Sequence, residues 1–230
     1  MDNKTGIGIA ILAVIVAVGI LAVLGSHPGA HAGQQTSQMN MVGGKTSTVV
    51  FHDAMRKLWE DHITWTRLAI VGFAGGSADF NATAARLLQN QQDIGGAIKP
   101  FYGSAAGDQL TALLRTHILD AVGVMQAAKG GNQTALAKSV NSWYANANDI
   151  ADFISSANPY LSNQDMRAMM KSHLDLTLQE AADELKGNYT GSVLTYDAVH
   201  VEILGMADML SSGIMKQFPQ DFYNATLSTS

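Results

Sequence analysis

Leu58-Trp-Glu-Asp-His-Ile-Thr-Trp-Thr-Arg-Leu-Ala69 is the stretch whose periodicity decides the fold. Leu58, His62, Trp65 and Ala69 recur at three- and four-residue steps, so they share one face of a helix and carry a histidine among apolar residues. The same spacing continues from Ser47 onward, and alternation over a strand length is absent. The pattern predicts an all-α fold, an antiparallel four- to five-helix bundle preceded by a single N-terminal transmembrane helix.

Helix punctuation divides the domain. A first helix is expected over residues 47–73, closed by Gly75-Gly76, and a short one over 79–90. A turn-rich passage at 91–103 follows, with Gly95-Gly96 and Pro100. Further helices are expected over 104–128, 133–157, 162–186 and 190–217, ending respectively at Gly130-Gly131, Asn158-Pro159, Gly187 and Pro219. Ser162 reads as an N-cap, and no internal repeat is visible.

Three more helices repeat the arrangement around His62. Leu113, Leu114, His117 and Ala121 share a face, as do Met169, Met170, His173 and Leu176, and as do Tyr196, His200, Ile203 and Ala207. Each histidine lies near the middle of its helix, so antiparallel packing brings all four to similar height. Carboxylates stand at helical spacing: Asp120 after His117, Asp197 before His200, and Glu180 two turns past His173. A carboxylate on Nδ1–H leaves Nε2 free for a metal, and imidazole with carboxylate suits iron, zinc, manganese or copper. Met169 and Met170 tilt the choice toward copper, although methionine also fills core gaps. The expected metal set is therefore His62, His117, His173, His200, Asp120, Asp197 and Glu180. The structural alternative is a polar layer of hydrogen-bonded core histidines, and a third is a ligand pocket.

Other chemistry is excluded or unsupported. There is no cysteine, so disulfides and thiolate sites are ruled out. The net charge of −5, without a lysine or arginine cluster, argues against nucleic acid. Glu-x-x-His doublets, His-Glu-x-x-His and phosphate-binding glycine loops are all missing. Trp59, Trp65, Trp143 and Tyr144 read as core aromatics, and Arg67 as a bridge to Glu60.

Residues 1–25 read as a membrane anchor or signal segment. The uncharged run from Gly6 to Leu24 spans roughly 28 Å as a helix, about one hydrocarbon core. Ala30-His31-Ala32 offers the competing reading of a cleavage site. Residues 26–46 form a Gly-, Ser- and Gln-rich linker whose His27, His31, Met39 and Met41 can bind copper loosely. The bundle takes 47–222, and 223–230 reads as a disordered tail. Charge around the run places the bulk outside the cytoplasm. Asn81, Asn132, Asn188 and Asn224 begin N-x-Thr acceptors for N-glycans, or serve as helix caps and turn formers. The expected partners are the membrane and either a membrane-complex subunit or a second copy.

From about residue 50 to 222 the chain resembles a family of small helical-bundle proteins of bacteria and archaea without a settled function. The matching stretches are Leu58 through Arg67, Asp93-Ile-Gly95, Pro100-Phe-Tyr-Gly103 and Trp143-Tyr-Ala-Asn-Ala-Asn-Asp-Ile-Ala151, with Ala157-Asn-Pro159, His173-Leu-Asp-Leu-Thr177 and Gln217-Phe-Pro219. Members are often labelled acetylglutamate kinase or glycosyltransferase, enzymes that resemble α/β folds with parallel sheets. This sequence has neither a strand pattern nor a nucleotide loop, so the resemblance implies the helical domain and carries no activity over.

Overall fold

The computed structural model describes residues 41–42 and 45–223. The chain divides into Met1–Thr36 and Ser37–Ser230, and every described residue belongs to the second unit. The expected anchor, most of the linker and Asn224 lie outside the described residues. The elements run β1 (Met41–Val42), β2 (Lys45–Ser47), α1 (Thr48–Gly75), α2 (Phe80–Lys129), α3 (Gln133–Ala157), α4 (Asn163–Leu185), α5 (Tyr189–Gln217), a 3-10 turn (Pro219–Asp221) and β3 (Phe222–Tyr223). The all-α bundle is as the periodicity predicts.

Helix ends follow local chemistry. The side chains of Ser47, Asn132, Ser162 and Asn188 accept from backbone N–H groups three residues on, which satisfies donors that helix starts leave open. Asn132 and Asn188 thus act as caps, and Asn81 stands exposed in the first turn of α2. Gly76 closes α1 in the left-handed region at φ 68°, where only glycine is free of Cβ strain.

The passage at 91–103 is helix rather than turn. α2 runs through it and breaks only at Gly103, with φ 83° and ψ 166°. The glycines mark a close crossing: a Cβ on Gly95 would stand 2.0 Å from Thr111 Oγ1 and 2.5 Å from the Gly107 carbonyl. Residues 80–102 fold back on 104–129, with Thr111 Oγ1 reaching the Gln91 carbonyl. Ile94 and Ile98 are buried by the same packing.

Three helical hairpins result: α1 with 80–102, 104–129 with α3, and α4 with α5. They close into a ring, since α1 packs on α2 and α5, and α3 on α2 and α4. The core, Phe51, Trp59, Ile63, Ile150, Leu174, Ile203 and their neighbours, runs along the axis.

Three of the family-like stretches meet at one end. Tyr102 donates to Gln217 Oε1 at 2.7 Å, Asn158 Nδ2 donates to Tyr102 Oη at 2.9 Å, and Gln217 Nε2 donates to the Ala157 carbonyl at 3.0 Å. A small sheet finishes that end: β2 pairs antiparallel with β1 and parallel with β3. β1 and the start of β2 fall within the expected 26–46 linker, and Phe222 of β3 packs on Phe51 and Phe101.

A buried tri-histidine layer

His62, His117 and His173 meet inside the bundle, each no more than 4% exposed. The ring centroids of His62 and His173 lie 5.8 Å apart, and those of His117 and His173 lie 6.2 Å apart. Trp59 stands edge-on to His62, and Trp143 lies 5.3 Å from His117.

Each imidazole is held at Nδ1 by the other helix of its own hairpin. His62 meets Gln91 Nε2 at 3.2 Å, His117 meets Asn146 Oδ1 at 3.1 Å, and His173 meets Glu202 Oε2 at 3.1 Å. The separation is 29 residues every time. The repeat unseen in the residue pattern is therefore structural: Leu58, Leu113 and Met169 each precede a histidine by four residues, and Ile63, Ile118 and Leu174 each follow one.

These partners fix the proton positions. Asn146 Nδ2 donates to the Leu113 carbonyl, so its Oδ1 faces His117, whose Nδ1 must carry the proton. Glu202 likewise takes Nδ1–H of His173, and the neutral ring of His117 presents an Nε2 lone pair. Gln91 Nε2 donates to the Leu87 carbonyl and faces His62 Nδ1, which places the proton of His62 on Nε2. Gln91 Oε1 is buried without a partner.

Burial disfavours the charged form of His117 and His62. It drives the His117 pKa down to about 3, with the neighbouring His173 adding to the fall and Asn146 opposing it. His62 is held well below the ordinary value by burial, then by His173 and His117.

A cavity of about 60 Å³ adjoins the three rings. Its walls are hydrocarbon: Ile70, Phe73, Leu87, Ile118, Met125 and Leu178 among them. Thr66 and Thr177 line it too, but their hydroxyls donate to the carbonyls of His62 and His173, which turns them onto their own helices. No Asp or Glu lines it.

The other expected residues lie elsewhere. His200 does not join the layer; its side chain is 39% exposed and Nε2 meets Glu60 at 3.0 Å. The buried stripe of α5 runs through Val199, Ile203, Met206 and Leu210, and His200 sits one residue, about 100°, round from Val199. Asp197 is exposed. Asp120 bonds Ser142 rather than His117, and burial raises its pKa. Glu180 is buried against Arg67 at 3.0 Å, with Glu184 at 3.4 Å and Ser192 on the same guanidinium. Burial raises the Glu180 pKa, and Arg67 opposes the rise. Arg67 therefore bridges to α4 and α5 and not to Glu60. Among the described residues, no three His, Asp or Glu side chains stand close enough as placed to hold one metal ion. Gln91, Asn146 and Glu202 escaped the sequence reading, because two are amides and all three lie on other helices.

Compared with protein-family models, curated proteins and solved structures, the chain finds no match.

Proposed function

We propose that this chain is a ligand-binding helical bundle whose interior takes a small ligand at the layer of His62, His117 and His173. One observation carries the reading: the imidazoles of His62, His117 and His173, each bound at Nδ1 to a side chain of the facing helix, line a cavity whose other walls are mostly hydrocarbon. Imidazoles along one side of an otherwise apolar cavity suit a small ligand with a single polar group. Residues 6–24 anchor the bundle to a membrane with the bulk extracytoplasmic, a reading supported by the length of that uncharged run.

The test follows histidine ring nitrogens by NMR while xenon, short alcohols and transition-metal ions are added in turn. Saturable shifts at His117 and His173 Nε2 are expected with at least one probe. If every probe leaves them unmoved, and Ala121→Leu fills the cavity with a gain in stability, the site is only a core defect.

A second reading, an accessory subunit of a membrane complex, draws on exposed apolar residues of α5, with Leu194 65% and Val201 75% exposed. Among the described residues α5 is also long and apolar enough to cross a membrane, although 44% of that stretch is buried in the bundle. Recovery of a stoichiometric partner from native membranes, lost on Leu194→Asp, would favour it.

A further inference from the structure

We infer that the bundle holds a second internal binding site, between the histidine layer and the end closed by the small sheet. Its ligand is a small aliphatic molecule with one hydrogen-bond acceptor and no donor, such as an ether, a nitrile or a carbonyl compound. The inference is independent of the ligand-site reading above. Along α1, Phe51 packs on Phe222 of β3, Met55 and Trp59 line a cavity of about 40 Å³, and His62 belongs to the histidine layer. The two cavities have no lining residue in common.

All three hairpins build the walls: Met55 and Ile98 from the first, Leu110 and Phe153 from the second, Leu210 and Ile214 from the third. Hydrocarbon with a few placed polar groups is the usual lining of a small-molecule site. Two polar side chains on this wall are already paired. Tyr102 Oη donates to Gln217 Oε1 and accepts from Asn158 Nδ2, and Asn158 Oδ1 accepts from the Tyr160 backbone N–H. The Ala157 carbonyl, from the same wall, accepts from Gln217 Nε2.

Trp59 is different. It lines the cavity, is only 4% exposed, and its indole N–H is buried without an acceptor in the protein. A buried donor left unpaired is costly, so the folded protein gains when a guest in the cavity brings an acceptor to it.

The same reasoning selects the guest. An indole N–H donates and never accepts, and the other polar side chains of the wall are paired. A guest hydroxyl or amine would therefore bury its own hydrogen without an acceptor, and a site of this kind discriminates strongly against unpaired polar groups. Water fits poorly, because a buried water takes about two to four polar partners and this wall offers one. The volume holds about three water-sized groups, which sets the guest at about three heavy atoms.

The experiment records the indole N–H peaks of the full detergent-solubilised chain by NMR, assigned with Trp59→Phe and Trp143→Phe. Dimethyl ether, ethanol and propane, equal in heavy atoms, are added in turn. The ether is expected to move the Trp59 indole proton downfield and saturably, and ethanol to bind about 5–100-fold more weakly. Propane should enter without that downfield shift. Trp59→Phe should weaken the ether about 2–12-fold and leave propane unchanged, and Ala157→Leu, which fills the cavity from its own wall, should abolish both. Circular dichroism confirms folding, and if Ala157→Leu does not fold, the Trp59→Phe comparison decides alone. Ethanol binding as tightly as the ether overturns the proposal. So does the lack of a saturable shift at Trp59 with every probe, or a cross-peak from water to its N–H in the protein alone. A shift confined to Trp143, which lines the cavity at the histidine layer, overturns it too and leaves the ligand-site reading standing.

Discussion

Lowering the pH from 7.5 to 5.0 should destabilise the fold through its buried histidines. His117 has a folded pKa of about 3 against an ordinary value of 6.5, and His62 is depressed in the same direction. Between those limits the unfolded chain binds a proton that the folded one refuses, so stability is full above pH 6.5 and falls as pH drops toward 3. Each unit costs about 1.4 kcal/mol per histidine, so pH 5.0 removes about 2 kcal/mol through His117 alone. That corresponds to a fall in Tm of about 4–8 °C for a domain of this size. His62 adds to the slope in the same sense. Glu180 works against it, because its raised pKa makes the folded state hold a proton longer. Urea unfolding at half-unit pH steps reads the slope, and His117→Gln should remove its share. A midpoint that does not move between pH 7.5 and 5.0, or an unchanged slope in His117→Gln, would refute the claim that these rings are buried and neutral.

Three further outcomes follow from particular contacts. Asn146→Leu strands His117 Nδ1–H and removes a second hydrogen bond to the Leu113 carbonyl, and urea unfolding at pH 7.5 should show a loss of about 1–3 kcal/mol. Gly95→Ala drives a Cβ into Thr111 and the Gly107 backbone and should cost at least about 1–3 kcal/mol. Gly96→Ala meets nothing within 4 Å and should stabilise by about 0.5–1 kcal/mol; equal effects from the two alanines would discredit the close crossing. Arg67→Met leaves Glu180 and Glu184 buried without their cation, a loss of about 3–5 kcal/mol that thermal melts at neutral pH would detect and that Glu180→Gln should partly relieve.

Helix existence, most helix ends and the inward placement of His62, His117 and His173 were legible in the sequence, because each is governed by residues a few positions apart. A stripe at three- and four-residue steps states which face of a helix is apolar, and capping side chains act over three residues. The sequence did not reveal what each face meets. Gly95-Gly96 carries the same letters in a turn and in a close helix crossing; only the approach of Gly107 and Thr111 distinguishes them. His200 fits its stripe as well as His62 does, yet a rotation of one residue about α5 turns it to Glu60 at the surface. Carboxylates chosen by spacing along one helix, Asp120 and Asp197, proved to be neighbours in sequence only. The groups that hold the imidazoles lie 29 residues away on the facing helix of each hairpin, so those contacts arise only when the hairpins close, and the layer of three only when the hairpins pack.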